Sequence, residues 1–385
     1  MATKDIMAAL AGVRPGRIPF VPKIWVDLAA ALTDTDIRTV IEDPLEALAV
    51  ILKAGRDFGL DAVRQFPFPA RRLDHAAGGD WVEVDGRGNR LGRIDLAGGL
   101  QTLLDRCEDY RLEDPAFAAY YNFRHAPGPV VRSLDQARAV AVPGRADYEE
   151  LGWGRNQRAA LRRVFGPDAP PEAGPMIFAD CGSIGISFCH YLNGMDTTLT
   201  DLFDDPALVR ALMDKGVAIA AERGKYWLGQ GHRVLRINDS AGNMSVISPD
   251  HWREFVLPGL RDLVTELHRH EPSCRLYCHI CGSILPIMKD LVESGLDCIA
   301  PLDPLGGFSV AQARELVGGH VALMGGIDTQ SFVRSTPGQM VTEARWCVEG
   351  AGGCGFILGS GCVVPRTARP ENLRAVVEWT RTYTG

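Results

Sequence analysis

One short segment, Tyr277-Cys278-His279-Ile280-Cys281-Gly282, combines an imidazole with thiols at a spacing that can hold a metal ion. Side chains two residues apart in an extended chain point to the same side. His279 and Cys281 can therefore converge on one point, while Cys278 turns away. An imidazole nitrogen together with thiolate sulfur is a donor pair that favours zinc. The segment thus predicts two ligands of a zinc site.

Two ligands are too few for a stable site, and Cys362 is the candidate for the third. It lies in the stretch GSGCVVP, residues 359–365, directly after the last predicted strand. A His-x-Cys pair alone is a weak pattern, and a buried histidine beside a core cysteine is its ordinary interpretation. The metal interpretation is favoured because all three residues fall at predicted strand ends. Three protein ligands with one open position are typical of catalytic zinc.

Such a site could activate a small molecule for transfer of an alkyl group. A free thiol has a pKa of about 8.5, so only a few per cent is ionised at pH 7, and coordination to a metal removes this handicap. With a neutral imidazole and two thiolates, the zinc site is formally uncharged and can accept an incoming thiolate. The same metal could instead polarise the oxygen of a methoxy compound as a Lewis acid.

The ligands must be positioned by regular elements, which the apolar pattern predicts. Short runs rich in Val, Ile and Phe, closed by Gly, Pro or Asp, are typical of strands. These runs are residues 17–22, 61–67, 175–180, 233–239, 275–280, 296–301, 321–328 and 355–359. Amphipathic stretches that begin with proline predict helices between them. The helices are residues 44–58, with Asp43 as the N-cap, and residues 206–228, 249–270 and 370–380.

Strands that alternate with helices predict parallel βα units, and eight such units close most simply into a (β/α)8 TIM barrel of the α/β class. Residues 78–99 are typical of an inserted β-hairpin with Asp85-Gly86 at its turn. The whole insertion, residues 78–174, separates the second predicted strand from the third. No long linker divides the chain. We therefore expect residues 1–385 to form one elaborated TIM-barrel domain with an N-terminal extension.

In a TIM barrel the catalytic groups come from the C-terminal ends of the strands and the loops that follow. Ionisable residues gather at these predicted ends, and their convergence from separate strands indicates an enzyme. They are Asp180, Asp239, His279, Cys281, Asp303, Asp328 and Cys362.

Composition and charge exclude several classes of protein. The chain has 41 Lys and Arg against 48 Asp and Glu, a net charge of −7, so no basic surface for nucleic acid or an anionic membrane is expected. The N-terminal segment lacks a secretory apolar core, and no uncharged apolar run reaches the roughly 18 residues of a membrane span. We expect a cytoplasmic protein whose ten cysteines stay reduced.

Five segments in order resemble the uroporphyrinogen decarboxylase superfamily. They are INDSA (237–241), SPDHWREFVLP (248–258), CHICG (278–282), MGGID (324–328) and GSGCVVPRTARPENL (359–373). The resemblance runs from about residue 175 to the C-terminus, and more loosely back to RIPF at residue 17. Within the superfamily the chain resembles the zinc-dependent methyltransferase branch. Members of that branch carry a His-x-Cys…Cys zinc motif, matched here by His279, Cys281 and Cys362, whereas the decarboxylases lack this set.

This resemblance implies a cofactor and a partner as well as zinc. Branch members transfer a methyl group from a methylcorrinoid protein to a thiol such as coenzyme M, or from a methylated or methoxylated donor to cob(I)alamin. The sequence leaves both directions open. It lacks the Asp-x-His-x-x-Gly motif that ligates a corrinoid, since Asp74 and His75 are adjacent. The corrinoid (cobalamin) is therefore expected on a separate protein, and a homodimer is compatible with this assignment.

Two alternative functions stay open beside the methyltransferase hypothesis. The first is a tetrapyrrole decarboxylase or lyase, and the second is a non-catalytic corrinoid-binding barrel. Decarboxylases carry Arg-Gln-Ala-Gly-Arg-Tyr after the first strand, where this chain has PKIWVDL, residues 22–28. An arginine-poor segment is a poor binding site for a substrate with many carboxylates, which disfavours decarboxylation.

Five further residues are candidates for the site. We assign catalytic roles to Asp239 and Asp180, which could orient His279 or hold the substrate. The alternative interpretation is that Asp180 caps a helix and Asp239 lies in a turn. We assign Asp328, Tyr277 and Asn243 to substrate binding, with a helix cap near residue 329 as the alternative for Asp328.

Overall fold

The computed structural model describes residues 2–65, 67–75, 80–96, 100–168, 170 and 173–383. The strands in these ranges are β1 (Ala62–Gln65), β2 (Arg72–His75), β3 (Trp81–Val84), β4 (Arg90–Asp95), β5 (Gln101–Leu104), β6 (Arg124–His125), β7 (Met176–Ser183), β8 (Val234–Asn238), β9 (Arg275–His279), β10 (Cys298–Leu302), β11 (Ala322–Ile327) and β12 (Phe356–Ser360).

The helices begin mostly at the proline and capping signals of the sequence. In chain order they are α1 (Ala2–Leu10), α2 (Val26–Leu32), α3 (Ile37–Glu42), α4 (Pro44–Phe58), α5 (Pro115–Ala119), α6 (Leu134–Ala139), α7 (Arg145–Glu150), α8 (Trp153–Phe165), α9 (Gly185–Asn193), α10 (Met195–Asp204), α11 (Pro206–Gly229), α12 (Pro249–His251), α13 (Leu257–His270), α14 (Met288–Glu293), α15 (Val310–Val317), α16 (Ser331–Arg334), α17 (Pro337–Ala351) and α18 (Pro370–Thr382). A π-helical turn, Trp252–Val256, joins α12 to α13. Short 3-10 turns are Cys107–Asp109, Tyr121–Phe123, Leu285–Ile287 and Pro304–Gly306.

The predicted helices are confirmed in position. The Asp43 carboxylate accepts from Leu45 N at 2.8 Å and caps α4 as predicted. Proline stands at the first turn of α4, α11, α12 and α18, where its missing N–H has no intrahelical acceptor in any case.

Seven parallel strands form the main sheet, in the order β1-β7-β8-β9-β10-β11-β12. Each strand pairs in parallel with its neighbour, and helices follow the strands along the chain. This is the curled βα sheet of a TIM-barrel-like fold, so the predicted fold class is confirmed. The second sheet, β2-β3-β4-β5-β6, is built from β2 and from four strands of the predicted insertion.

Residues 19–23 occupy the eighth place in the ring, between β12 and β1. On one side Phe20 makes a parallel bridge to Leu358, and Val21 N donates to Leu358 O at 2.8 Å. On the other side the Asp61 carboxylate, just before β1, accepts from Phe20 N at 2.8 Å. The prediction of a regular strand at residues 17–22 is wrong, because prolines in this segment have no N–H to donate to a ladder. The segment nevertheless lies where an eighth strand would close the barrel.

The inside of the ring is filled by large apolar side chains, among them Phe178, Tyr277 and Met324. Ile6 and Leu10 of α1 pack into the same cluster, next to residues at the beginnings of several strands. The N-terminal extension therefore covers the N-terminal end of the barrel, which leaves the C-terminal end of the strands for the site. A larger apolar cluster lies between the sheet and the surrounding helices.

The predicted hairpin is present as the antiparallel pair β3–β4, with Glu83 opposite Gly92. The Asp85 carboxylate accepts from the backbone N–H of Arg87 and Asn89, each at 2.8 Å, and so closes the turn. Gly78 and Gly99, the predicted limits, lie outside the described residues. The hairpin belongs to a larger sheet that begins at β2, ahead of the predicted boundary at residue 78.

No helix in the described ranges combines the length and the apolar content that crossing a bilayer requires.

The closure of the ring at Asp61 is testable by substitution. Its Oδ2 accepts from Phe20 N at 2.8 Å and from Arg17 Nη1 at 2.9 Å, and it is buried. Asp61→Ala leaves both donors without an acceptor, so we expect the free energy of unfolding to fall by about 3 kcal/mol in urea denaturation. The control Asp57→Ala removes an exposed pair with Arg56 and should cost less than about 1 kcal/mol. Equal losses in the two variants would contradict a closing role for Asp61.

Candidate metal centre

The three predicted ligands meet at the C-terminal end of the barrel. One donor atom from each of His279, Cys281 and Cys362 lies within 4.8 Å of the other two. His279 ends β9, Cys281 follows two residues later, and Cys362 lies two residues beyond the end of β12. Two strands, β10 and β11, separate β9 from β12 in the sheet. The ligands can therefore meet only because the sheet curls into a ring.

Alternation along β9 directs the histidine inward. Tyr277 belongs to the cluster inside the barrel, whereas Cys278 belongs to the cluster between the sheet and the helices. His279, two residues after Tyr277, is completely buried and shares its side of the strand. Cys281 and Cys362 are only partly buried, so the sulfur side of the trio is the more accessible one.

The trio fits a zinc ion by donor chemistry and by distance. Burial, reinforced by the positive charges of Lys23 and two arginines, holds the pKa of His279 well below its usual value, so the imidazole is neutral, the form that binds metals. Its Nδ1 is buried and has no hydrogen-bond partner among the described residues. Ligand atoms of a tetrahedral zinc site with these donors lie roughly 3.5–3.8 Å apart, within the observed limit.

The thiols of Cys281 and Cys362 differ in how readily they ionise. A hydrogen bond between the sulfur atoms lowers the pKa of Cys362 and raises that of Cys281, and the ammonium of Lys23 favours the thiolate on both. One sulfur of the pair is thus disposed to ionise, as metal binding requires.

Lys23 was missed by the sequence reasoning. Its Nζ lies 3.0 Å from Nε2 of His279, and its side chain is buried. Burial lowers the pKa of Lys23 to about 7, with Arg236 and Arg64 acting in the same direction. The residue directly follows the predicted first strand, so the strand-end criterion that selected the cysteines would have found it.

Ser360 connects Lys23 to the Cys362 loop. Its Oγ accepts from Lys23 N at 2.9 Å and donates to Cys362 O at 2.6 Å. A parallel bridge between Lys23 and Val363 holds the same two segments together. The segment that closes the ring therefore also supports one of the candidate ligands.

Comparison with known proteins assigns the chain to a family. A model of the family described as uroporphyrinogen decarboxylase (URO-D) matches residues 183–383, a range that includes all three candidate ligands. The chain belongs to the URO-D family.

Curated proteins with two different activities are similar to this chain. A methylated-thiol–coenzyme M methyltransferase of Methanosarcina mazei is 30% identical over 175 residues, which are 45% of this chain and 44% of that protein. The methylcobamide:CoM methyltransferase MtaA of Methanosarcina barkeri is 23% identical over 56% of this chain and 59% of its own length. A uroporphyrinogen decarboxylase of Pelodictyon phaeoclathratiforme is 28% identical over 47% of this chain and 50% of its own length. The chain thus spans about half the length of the curated relatives it matches.

A solved structure supports the fold over the whole chain. The structure titled methyltransferase from Methanosarcina mazei superposes with a TM-score of 0.69 at 17% identity, covering 99% of this chain and 98% of its own. At this level of identity the likeness shows the TIM-barrel-like fold, and it includes the inserted segments as well as the ring.

Asp180 lies in a buried ion-pair network. Arg236 Nη1 donates to Asp180 Oδ1 at 2.6 Å, and Arg223 Nη1 lies 3.8 Å from Oδ2. Arg236 also donates to the amide oxygen of Asn238. Asp180 is part of β7 and does not cap a helix, which excludes the alternative interpretation from the sequence. In the described chain its carboxylate pairs with arginines rather than with His279.

Asp239 lies in the turn after β8, as the alternative interpretation expected. Its Oδ1 accepts from Ser187 N at 2.8 Å, in the first turn of α9. Gly185 and Gly242 pack so closely on its carboxylate that a Cβ at either position would clash. Burial raises the pKa of Asp239 to about 7. The geometry thus directs the carboxylate to α9. The backbone N–H of Asp239 donates to His279 O at 3.1 Å, whereas its carboxylate makes no hydrogen bond to the ligand trio among the described residues.

The three residues assigned to substrate binding lie in different surroundings. The Tyr277 ring is buried inside the barrel against Phe178. Asn243 donates to Ser240 O at 3.0 Å and its side chain packs on Gly282, so it supports the loop beside Cys281. Asp328 accepts from Gln330 N at 2.9 Å and closes the turn after β11. None of the three contacts the ligand trio through a hydrogen bond in the described part of the chain.

Substitution of Asp180 tests whether this residue stabilises the barrel or binds the metal. Asp180→Asn removes the anionic partner of two buried guanidinium groups, so we expect the free energy of unfolding to fall by about 3 kcal/mol while zinc stoichiometry is retained. Asp250→Asn, at a side chain that is 93% exposed, is the control and should change stability by less than about 1 kcal/mol. Urea denaturation and metal analysis of the same samples check both points. Loss of zinc without loss of stability would assign Asp180 to the metal centre instead.

Proposed function

We propose that this protein is a zinc-dependent methyltransferase that moves a methyl group between a corrinoid on a separate protein and a small molecule. The small molecule is a thiol acceptor or a methylated or methoxylated donor. The observation that carries the proposal is the convergence of His279, Cys281 and Cys362 from the ends of two separated strands. Among the described residues, this cluster offers one neutral nitrogen, two sulfurs and no fourth protein donor. This combination matches the donor set of catalytic zinc.

Zinc, when bound, supplies a Lewis acid that lowers the pKa of a thiol or polarises a methoxy oxygen. Burial lowers the pKa of His279, so the imidazole carries no additional proton at physiological pH and its nitrogen is available to bind a metal. The chain supplies two sulfurs whose negative charges would balance a divalent ion. With the charge of the ion balanced by these two sulfurs, the site could tolerate a further anionic sulfur of a substrate without a large accumulation of charge.

Buried cations around the trio suit chemistry in which negative charge develops on sulfur or oxygen. Lys23, Arg64 and Arg236 all act electrostatically on His279, and Lys23 and Arg64 favour the thiolate of Cys362. Arg64 is buried, and its Nε and Nη1 have no hydrogen-bond partner among the described residues. The positive charge disfavours protonation of the ligands and stabilises an ionised donor at the mouth of the barrel.

The activities for which two relatives are named support methyl transfer and leave its direction open. One relative acts on methylated thiols and coenzyme M, and another on a methylcobamide and coenzyme M. Decarboxylases are relatives too, but residues 22–28 here contain Lys23 and no arginine, where decarboxylases have an arginine-containing motif. The His, Cys, Cys donor set favours the methyltransferase activity over decarboxylation, which needs no metal.

Zinc content tests the metal part of the proposal. We expect close to one zinc per chain in the wild type and a loss of at least tenfold in affinity in Cys362→Ala, because two ligands do not hold the ion. Cys354→Ala is the matched control, since Cys354 is exposed and outside the trio. Elemental analysis after equilibrium dialysis measures the content, and circular dichroism checks that both variants fold. Unchanged stoichiometry in Cys362→Ala would remove the proposed site.

Methyl transfer itself is tested in both directions with the zinc-loaded protein. One set contains methylcobalamin and a panel of thiols, and the other contains cob(I)alamin and methoxylated aromatic compounds. We expect net methyl movement, followed by the cobalamin absorbance spectrum, in one of the two sets, and a decrease of at least a hundredfold in Cys362→Ala. Turnover of a porphyrinogen that persists after chelation would favour the decarboxylase alternative, and tight cobalamin binding without transfer would favour a non-catalytic barrel.

A further inference from the structure

The loop after β10 lies between the two loops that carry the candidate cysteine ligands. We propose that Asp303 in this loop is a positioning residue, which sets the separation of Cys281 and Cys362 and thereby the affinity of the site for metal. The inference rests on the proposed metal centre. It concerns a residue that contributes no donor atom to the trio.

On the Cys281 side, Asp303 binds the backbone directly. Its Oδ2 accepts a hydrogen bond at 3.0 Å from Gly282 N, the peptide that immediately follows Cys281. Gly282 has a left-handed backbone conformation, φ +86°, so the chain turns sharply at this point. A carboxylate that accepts from this peptide fixes the direction in which Cys281 leaves β9.

On the Cys362 side, Asp303 is in close steric contact. A Cβ built on Gly361 would lie 2.8 Å from Asp303 Oδ1 and 3.0 Å from its Cα. Such distances are shorter than ordinary carbon contacts, so the close approach of the two loops requires glycine next to Cys362. Gly361 N also donates to Ile327 O at 2.7 Å, which holds the loop in this position.

The loop of Asp303 is held by its own hydrogen bond and by a close contact. Its Oδ1 accepts from Leu305 N at 3.0 Å and caps the short turn Pro304–Gly306. Gly306 presses against the carbonyl of Gly282, where a Cβ would clash. The same loop therefore contacts the Cys281 loop through Gly306 and through Asp303, and it contacts the Cys362 loop through Gly361.

Asp328 provides an internal comparison. It follows β11 as Asp303 follows β10, and its Oδ1 likewise accepts from the N–H two residues later, Gln330 N, at 2.9 Å. Its backbone N donates to Glu343, on the outside of the barrel. Only Asp303 uses its second carboxylate oxygen to reach a loop that carries a candidate ligand. The two aspartates share a turn-capping role and differ in the contact that the proposal needs.

The test compares Asp303→Ala with Asp328→Ala. Zinc affinity, measured by competition with a chromophoric chelator, should fall 10–100-fold in Asp303→Ala, the range typical when the support of a metal ligand is removed, and less than threefold in Asp328→Ala. Asp303→Asn keeps one acceptor oxygen and should recover part of the affinity. Without metal, both variants lose one turn cap, and Asp303→Ala should lose about 1 kcal/mol more stability to urea because the hydrogen bond from Gly282 N is lost as well.

A second substitution tests the contact from the other side. Gly361→Ala pushes the Cys362 loop away from Asp303, so zinc affinity should fall by at least tenfold although no ligand is altered. Gly338→Ala, where a Cβ meets no atom within 4 Å, is the matched control and should bind zinc as the wild type does.

A readout that needs no zinc separates this inference from the proposed function. Phenylarsine oxide condenses with two neighbouring thiols, forming two As–S bonds and releasing one water. Peptide mapping by mass spectrometry should find Cys281 bridged to Cys362 in the metal-free wild type, with the yield reduced at least fivefold in Asp303→Ala and unchanged in Asp328→Ala. Equal bridging and equal zinc affinity in these two variants would overturn the role of Asp303. If the wild type is bridged in this way but holds no zinc, the proposed function fails while the positioning role stands.

Discussion

The site depends on closure of the ring. His279 and Cys281 follow β9, Cys362 follows β12, and Lys23 lies at the end of the segment that fills the eighth place. In a flat sheet, β9 and β12 would lie roughly 14 Å apart, at about 4.8 Å per strand. The observed limit of 4.8 Å between donor atoms thus requires curvature. Hydrogen bonds of residues 19–21 to Leu358 and of Phe20 to Asp61 maintain that curvature, although residues 19–21 lie far from His279 and Cys281 along the chain.

Glycine residues allow neighbouring segments to approach closely at the end of the barrel where the candidate ligands meet. Gly325 in β11 has φ +129°, and a Cβ there would lie 2.5 Å from Leu302 N. Without a side chain at this position, β11 approaches the backbone of β10. Gly361 likewise lets the loop after β12 approach Asp303, so one glycine inside a strand and another beside Cys362 shape the end of the barrel where the two sulfurs lie. The residues that shape the site are therefore partly ones that carry no functional group.

The sequence predicted the parts of this arrangement that have local signals. Apolar runs closed by Gly, Pro or Asp located the strands of the ring, and proline with Asp43 located α4 at its observed bounds. The rule that functional groups follow parallel strands selected His279, Cys281 and Cys362 before their proximity was known. The segment at residues 17–22 was predicted as a regular strand because its apolar pattern dominates, whereas its prolines limit the pairing to isolated bridges.

What the sequence could not predict depends on contacts between distant segments. Asp180 and Asp239 were both predicted at strand ends, yet Asp180 lies within β7 and pairs with Arg236, whereas Asp239 follows β8 and binds the first turn of α9. No local pattern distinguishes them from a ligand or a catalytic acid. Lys23 directly follows a predicted strand, but its nearness to His279 follows only from closure of the ring. Strands β2 and β5, each four residues long, show no periodicity that separates them from loops.

The central claim, that one imidazole and two thiolates hold a zinc ion, is tested most directly by X-ray absorption at the zinc edge of the loaded protein. The account predicts two sulfur neighbours at about 2.3 Å and a nitrogen of an imidazole at about 2.0–2.1 Å, with one sulfur lost in Cys362→Ser. A first shell of oxygen and nitrogen alone, or a sulfur count that does not change in Cys362→Ser, would contradict it.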